Sequence, residues 1–332
     1  MVSSVIGHEK WKKFLQKAHL SGRVPGGLLF TGKESIGKKL LALEFAKGLL
    51  CSKGEPFGCG ECKSCKLVGE FIAALRAGQE DKFAYYAEDE SGKKHFAYLI
   101  GDHPDLAVVV PDGRAVKIDQ IREIKQFVAL KPTGRYKVVI IDDADTMTPQ
   151  AQNALLKTLE EPPSDTVFIL ISRSKSALLP TIVSRCRVLE FKPLKPAEVR
   201  AVVSQLNVEI PEGLLHFMEK DGSLRMLKID NDSFSELWAL LTDDEKFGRW
   251  KYRDIINAGE LFEELSHEER ETLLRIFSTY AVDKILEKTA KEKTEKQPTL
   301  PVYTVEEILR GLKRGLKAKL AMEYLLLTLR EK

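Results

Sequence analysis

Several short stretches of this sequence set reactive side chains at spacings that chemistry uses. The first is Gly32-Lys33-Glu34-Ser35-Ile36-Gly37-Lys38-Lys39. It follows the phosphate-binding pattern G-x-x-x-x-G-K. Backbone N–H groups of such a loop, with the start of the next helix, cradle phosphates, and the lysine reaches the terminal ones. The following position, where a Ser or Thr hydroxyl holds Mg²⁺, is Lys39, whose ammonium has no lone pair to give and repels the ion. The second stretch is Ile141-Asp142-Asp143-Ala144-Asp145. Asp142, at the end of an apolar run, can hold Mg²⁺ through water. A third is Cys51, Cys59, Cys62 and Cys65. Four thiolates close a tetrahedral zinc site, and the tight C-x2-C-x2-C run is also an iron–sulfur spacing. Spacing alone leaves both open. Ser184-Arg185-Cys186 and Gly222-Ser223-Leu224-Arg225 each offer an arginine beside a hydroxyl; alone they say little, and their meaning depends on the elements that carry them.

Those elements can be read from periodicity. Leu28-Leu29-Phe30 is a short buried strand, Gly32 to Gly37 a loop, and Lys38 to Leu50 a Leu- and Ala-rich helix. A helix starts near Asp119 as N-cap, with Ile121, Ile124 and Val128 at helical spacing. Val138-Val139-Ile140-Ile141 is β-branched throughout, the mark of a parallel strand buried on both faces. Thr148-Pro149 opens a helix that carries Ala154, Leu155 and Leu159 inward and stops before Pro162-Pro163. Val167 to Ile171 is another buried strand. Strands alternating with helices predict an α/β domain with a parallel sheet. Beyond about Pro193 the strand signals stop and helical patterns run to the end, broken by a charged, proline-bearing loop over Lys291 to Pro301.

Composition sets limits. The chain has 332 residues, enough for two or three domains. Its 30% of charged residues exceed the usual quarter, yet the net charge of +3 is too small to argue for nucleic acid by itself. That balance, with no clustered basic stripe, disfavours a stand-alone DNA-binding zinc protein. No apolar run is long enough to cross a membrane, and Met1 to Lys13 lacks a signal-peptide core, so the protein reads as cytoplasmic. In a reducing compartment four clustered cysteines point to a metal, not disulfides.

Taken together, these residues resemble the AAA+ subunits of the bacterial DNA polymerase III clamp loader over essentially the whole chain. The resemblance is carried by Val5-Ile6-Gly7-His8, the phosphate loop, the four cysteines, His103-Pro104-Asp105 and Val116-Lys117-Ile118-Asp119-Gln120-Ile121-Arg122. Most specific is the run from Asp142 through Ala151-Gln152-Asn153-Ala154-Leu155-Leu156-Lys157-Thr158-Leu159-Glu160-Glu161-Pro162-Pro163, closing with Ser184-Arg185-Cys186. Two subunit types share this text. The gamma/tau motor type has G-K-[ST] and an Asp-Glu pair, the glutamate positioning the attacking water. Here Lys39 and Asp143 stand instead, Asp143 one methylene too short, and there is no long C-terminal extension. The chain therefore resembles the delta-prime type.

That resemblance implies an AAA+ P-loop-type α/β domain with a parallel sheet over 1–193, carrying a four-Cys zinc module at 51–65 and a hairpin insertion at 66–102. A small helical lid would follow over 194–232 and an all-α collar over 233–332. It implies a nucleotide site at Gly32, Gly37, Lys38, Lys39, Asp142, Asp143 and Arg225 that binds ATP or ADP weakly and does not hydrolyse it. Arg185 would be supplied in trans to a neighbour's ATP, and zinc would be held by Cys51, Cys59, Cys62 and Cys65. The implied partners are gamma/tau and delta subunits in a hetero-pentamer, the sliding clamp, and primer-template DNA through the complex. The alternative is an ATP-hydrolysing gamma/tau-type subunit in which Asp142 and water alone hold Mg²⁺. One stretch departs from the family pattern: between Cys65 and His103 lies a long insertion with Phe83, Tyr85, Tyr86, Phe96 and Tyr98 around a polar turn from Glu88 to Lys94. Its alternation predicts an aromatic β-hairpin, with Phe83 and Tyr85 on one strand face.

Overall fold

Continuous β-branched and leucine-rich runs, each bounded by turn residues, become the strands of one sheet. In the computed structural model, which describes residues 3–88, 94–208, 210, 212–228, 232–292 and 301–330, these are β1 (Gly27–Thr31), β2 (Ala84–Glu88), β3 (Lys94–Leu99), β4 (Leu106–Val109), β5 (Lys137–Ile141), β6 (Thr166–Ser172) and β7 (Arg187–Glu190). Their order is β2-β3-β4-β5-β6-β1-β7. From β4 to β7 the neighbours are parallel; the hairpin β2-β3 is antiparallel and adds to the β4 edge.

The chain divides into two compact units, Met1–Leu206 and Asn207–Lys332. In the first, helices join the strands: α1 (Glu9–Leu20), α2 (Lys38–Leu49), α3 (Lys63–Arg76), α4 (Ile118–Ala129), α5 (Pro149–Glu160), α6 (Pro180–Val183) and α7 (Pro196–Leu206). One face of the sheet, with Leu29, Val139, Ile141, Phe168 and Leu170, packs against Ile121, Ile124 and Val128 of α4 and Ala151 and Leu155 of α5. The alternate residues Leu28, Phe30, Val138, Ile140 and Ile169 are equally buried. Alternation turns them to the opposite face, where α2 meets β5 and β6.

Local chemistry explains the element ends. Thr148 caps α5 by accepting the Ala151 N–H at 3.2 Å, with Pro149 in the first turn. The α4 start differs from the sequence reading. The N-cap is Lys117, not Asp119, because Gln120 Oε1 reaches back to accept the Lys117 N–H at 3.0 Å. Asp119 instead pairs with Arg122 at 2.8 Å. In His103-Pro104-Asp105, the His103 Nδ1 accepts the Asp105 N–H at 3.0 Å. The Asp105 carboxylate in turn accepts the N–H groups of Thr133 at 2.9 Å and Gly134 at 3.1 Å, fixing the loop before β5.

The aromatic hairpin forms, with two departures: residues 66–76 of the expected hairpin insertion continue α3, and the first strand starts only at Ala84. Phe83 lies in a 3₁₀ turn over Glu80–Phe83, not in a strand, and its ring meets Phe71 of α3 at 5.4 Å. A register shift between Tyr85 and Tyr86 sets both tyrosines against the Phe96/Tyr98 face. Tyr85 stacks on Tyr98 at 4.9 Å and Tyr86 meets Phe96 at 5.9 Å. Of the turn expected from Glu88 to Lys94, the two end residues are paired strand residues, and 89–93 lie outside the described residues.

The second unit is helical among its described residues: α8 (Glu212–Asp221), α9 (Asp232–Thr242), α10 (Tyr252–Glu264), α11 (His267–Glu292), α12 (Pro301–Lys313) and α13 (Ala318–Leu329). Its core includes Trp238, Trp250, Phe262 and Phe277. Of the loop expected over Lys291 to Pro301, Lys291 still belongs to α11 and Pro301 opens α12; residues 293–300 lie outside the described ones. No helix among the described residues is long and apolar enough to cross a membrane.

Candidate nucleotide and metal sites

Open α/β sheets bind ligands at the carboxyl ends of their strands. There β1, β5 and β6 lie side by side, Thr31 across from Ser172 and Ile141 across from Leu170. The phosphate loop leaves β1, the acidic turn leaves β5, and Arg173 follows β6. The loop backbone is shaped by Gly32, whose φ is +146° and whose Cβ, if present, would lie 2.4 Å from the Phe191 carbonyl oxygen. No side chain fits there. Gly37 caps α2 with φ +94°. His8, from the N-terminal Val5–His8 segment, meets the loop through its Nε2 at 2.7 Å from the Ile36 carbonyl oxygen. Burial lowers its pKa from the ordinary 6.5.

Of the loop's three lysines, Lys38 and Lys39 have different places. Lys38 is buried, and its Nζ donates to the carbonyl oxygen of Gly32 at 2.6 Å and to that of Lys33. Burial lowers its pKa, opposed by the charges of Asp142, Asp143, Glu34 and Asp145. Lys39 points across to β5, its Nζ 3.1 Å from Asp142 Oδ2, with the two side chains 25% and 14% exposed. Mg²⁺ demands about six oxygen ligands at close to 2.1 Å. Here a protonated amine stands in the ligand position and on the carboxylate that would share the ion, so these residues do not fit Mg²⁺.

Asp143 takes a left-handed backbone, φ +44°. Burial raises its pKa, and the neighbouring Asp142 charge pushes the same way. The sequence reading missed Arg173. Its guanidinium pairs with Glu34 of the phosphate loop and lies 3.6 Å from Asp145, tying the ends of β1, β5 and β6 together. Its signal was its place just after a buried strand, next to the loop.

Two further predicted arginines each have an acidic partner. Arg185 follows α6 on the way to β7. It is about one-third exposed and held by Glu160 at the end of α5, Nη2 to Oε1 2.6 Å. Its Nη1 donates to the Thr181 carbonyl oxygen at 2.9 Å. Beneath it β1 approaches closely: a Cβ on Gly27 would lie 3.0 Å from the Arg185 carbonyl oxygen and 3.2 Å from Cys186 Sγ. Arg225 belongs to the second unit, where it lies 3.8 Å from Asp221, whose carboxylate also accepts the Ser223 hydroxyl at 2.5 Å.

At the far end of α2 the four cysteines converge. The Sγ atoms of Cys51, Cys59, Cys62 and Cys65 all lie within 4.8 Å of one another, and Cys59 and Cys65 are 3.9 Å apart. Four sulfurs at the zinc–thiolate distance of about 2.3 Å form a tetrahedron with edges of about 3.8 Å, so the set closes on zinc with little movement. The N–H groups of Glu61 and Cys62 both point at Cys59 Sγ, at 3.4 Å, and these bonds lower the pKa of that thiol. Burial pushes Cys65 up to about 12, so its thiolate needs a cation beside it.

Comparison with known proteins shows the family of the chain. The family model for "DNA polymerase III, delta subunit" matches residues 7–75 and 79–195. The DNA polymerase III subunit delta' of Bacillus subtilis is 35% identical over 188 residues, 56% of this chain and 48% of its own length. That of Pseudomonas aeruginosa is 38% identical over 162 residues, 48% of this chain and 40% of its own. The DNA polymerase III subunit tau of Bacillus subtilis is 31% identical over 234 residues, 67% of this chain and 35% of its own. The chain thus spans half or less of the length of these relatives.

Proposed function

We propose, from the premise that this chain belongs to the DNA polymerase III delta-prime subunit family, that it serves as a non-hydrolysing structural subunit of the clamp loader. The observation that carries this reading is the Lys39–Asp142 pair. It occupies both groups that would share Mg²⁺, and phosphoryl transfer in P-loop proteins depends on that ion. In this reading the loop holds ATP or ADP weakly through Gly32, Gly37 and Lys38, with Arg225 added from a lid over 194–232. A collar over 233–332 joins the chain to gamma/tau and delta subunits in a hetero-pentamer that places the sliding clamp on primer-template DNA in the cytoplasm. Zinc is the metal best suited to the four cysteines. All ligand positions are then filled, so the metal stabilises the module and performs no chemistry.

Arg185 is the residue that acts, on ATP bound by a neighbour. Its fixed donors suit the charge that spreads over a transferring phosphoryl group. Glu160 supports this assignment, because it holds the guanidinium at the surface. The test is the ATPase of the reconstituted assembly containing wild type, Arg185→Ala or Arg185→Lys. Arg185→Ala should leave assembly intact and slow hydrolysis at the one adjoining site, by up to about 10³-fold there. Arg185→Lys should rescue little, since an ammonium lacks the planar fork. Wild-type turnover with Arg185→Ala would reduce it to a surface arginine. The tau relative keeps a hydrolysing reading in view; ATP turnover by the isolated chain, abolished by Lys38→Ala, would favour it.

A further inference from the structure

We propose that Lys39 is the phosphate loop's own cation, and that the site takes a nucleoside di- or triphosphate free of divalent metal. This deepens the nucleotide-binding reading above and rests on it.

The argument starts from what surrounds the loop. Four carboxylates stand there: Glu34 in the loop and Asp142, Asp143 and Asp145 after β5. Lys38, Lys39 and Arg173 face them. Arg173 is engaged by Glu34 and Asp145. Lys38 is folded onto the Gly32 and Lys33 carbonyl oxygens within the loop. Lys39 lies in the first turn of α2, on a flexible stem, with Asp142 as its partner at 3.1 Å. Both are largely shielded from solvent, so screening by salt weakens their charges less than at an open surface.

A P-loop with a hydroxyl in this position receives the metal complex of the nucleotide, in which the ion has already offset two phosphate charges. This loop gives Mg²⁺ no oxygen at that position, because the side chain there is a donor with no lone pair. It supplies a positive charge instead. A swing of the Lys39 stem moves the ammonium from Asp142 toward an incoming phosphate oxygen, beside Lys38 and the N–H groups at the start of α2. Mg²⁺ complexation then removes the charge that Lys39 would meet, and Asp142 would face the ion already paired. The nucleotide would be held, not turned over.

The opposite signs expected of Asp142 variants make the idea testable. In a P-loop that uses Mg²⁺, removing this carboxylate weakens binding of the metal complex. Here Asp142→Asn frees Lys39 and removes a negative charge from the phosphate site, so metal-free binding should tighten. The experiment is a titration of the full chain with fluorescently labelled ADP and ATP, in EDTA and in millimolar Mg²⁺, for wild type, Asp142→Asn and Lys39→Thr. Folding of each variant is followed by thermal unfolding. We expect wild type to bind at least as tightly in EDTA as in Mg²⁺. Asp142→Asn should bind more tightly in EDTA, and Lys39→Thr should bind about tenfold more tightly with Mg²⁺ than without, a change of about 1.4 kcal/mol. Wild-type binding that needs Mg²⁺ overturns this inference and leaves the nucleotide reading standing. No binding in either condition overturns both.

Discussion

The two ends of α2 carry two sites of opposite kind. At its N-terminus lies the phosphate-loop pattern, with Gly32 and Gly37 at positive φ and, at the position of a metal-binding hydroxyl, a lysine paired with Asp142. At its C-terminus four cysteine sulfurs stand within 4.8 Å of one another, a complete ligand set on a short irregular segment. The contrast separates two things that motifs merge. Glycines preserve the path of a chain, and only the liganding atoms decide its chemistry. Shape survives at the first end without the metal, whereas at the second the shape itself is drawn together by sulfurs that a metal would join.

The sharpest way to break this comparison is at the cysteine end. If a metal closes the module, stripping it with a chelator, or Cys65→Ser at a buried ligand, should lower the stability of the first unit by about 3 kcal/mol or more. Elemental analysis should find one zinc per chain. A brown, iron-bearing protein, or unfolding indifferent to chelator, would erase the contrast. At the loop end, Gly32→Ala tests whether shape alone is being kept. The added Cβ meets the Phe191 carbonyl oxygen in a backbone region that L residues avoid, so a loss of about 2–3 kcal/mol is expected in chemical denaturation. A neutral outcome would mean that the loop backbone is not constrained.

The smallest effect is one of pH. His8 adjoins the loop, and burial lowers its pKa below 6.5. The folded state therefore favours neutral His8. Its contribution is fully present above the ordinary histidine value and is lost as pH falls through the lowered one. Denaturation midpoints should drop on acidification across that window, and His8→Asn should flatten the drop. An unchanged slope in the variant would detach His8 from the loop's stability.

Much of the α/β unit was legible beforehand because buried parallel strands announce themselves. Val138 to Ile141 and Val167 to Ile171 lie inside β5 and β6, and Thr148-Pro149 opens α5 as expected. Arg187–Glu190 was not read as a strand, because its charged ends hide one apolar pair at an edge. Phe83 misled because a two-residue spacing does not distinguish a strand from the 3₁₀ turn before it, and the bulge at Tyr85/Tyr86 leaves no mark in alternation. For the site, the sequence yielded the identity of Lys39 and hence the loss of a Mg²⁺ ligand. It could not yield the partner. The pairing joins the first turn of α2, which follows β1, to the turn that follows β5, and those two strands are kept apart by β6. Arg173 was missed for the same reason.

Gly27 and Gly32 make a gauge of β1. At Gly27 the strand lies against the backbone of Arg185 and Cys186, and at Gly32 against that of Phe191. Both points lie against one neighbouring segment, 185–191, about 16 Å apart at the usual strand rise. A close-packed buried strand neither stretches nor shortens appreciably. The distance from the arginine to the phosphate loop is thereby set by covalent geometry and not by what either end is holding. Such a part is a spacer block: anything that touches Arg185 would meet the same dimension whatever the loop at the far end of β1 is doing.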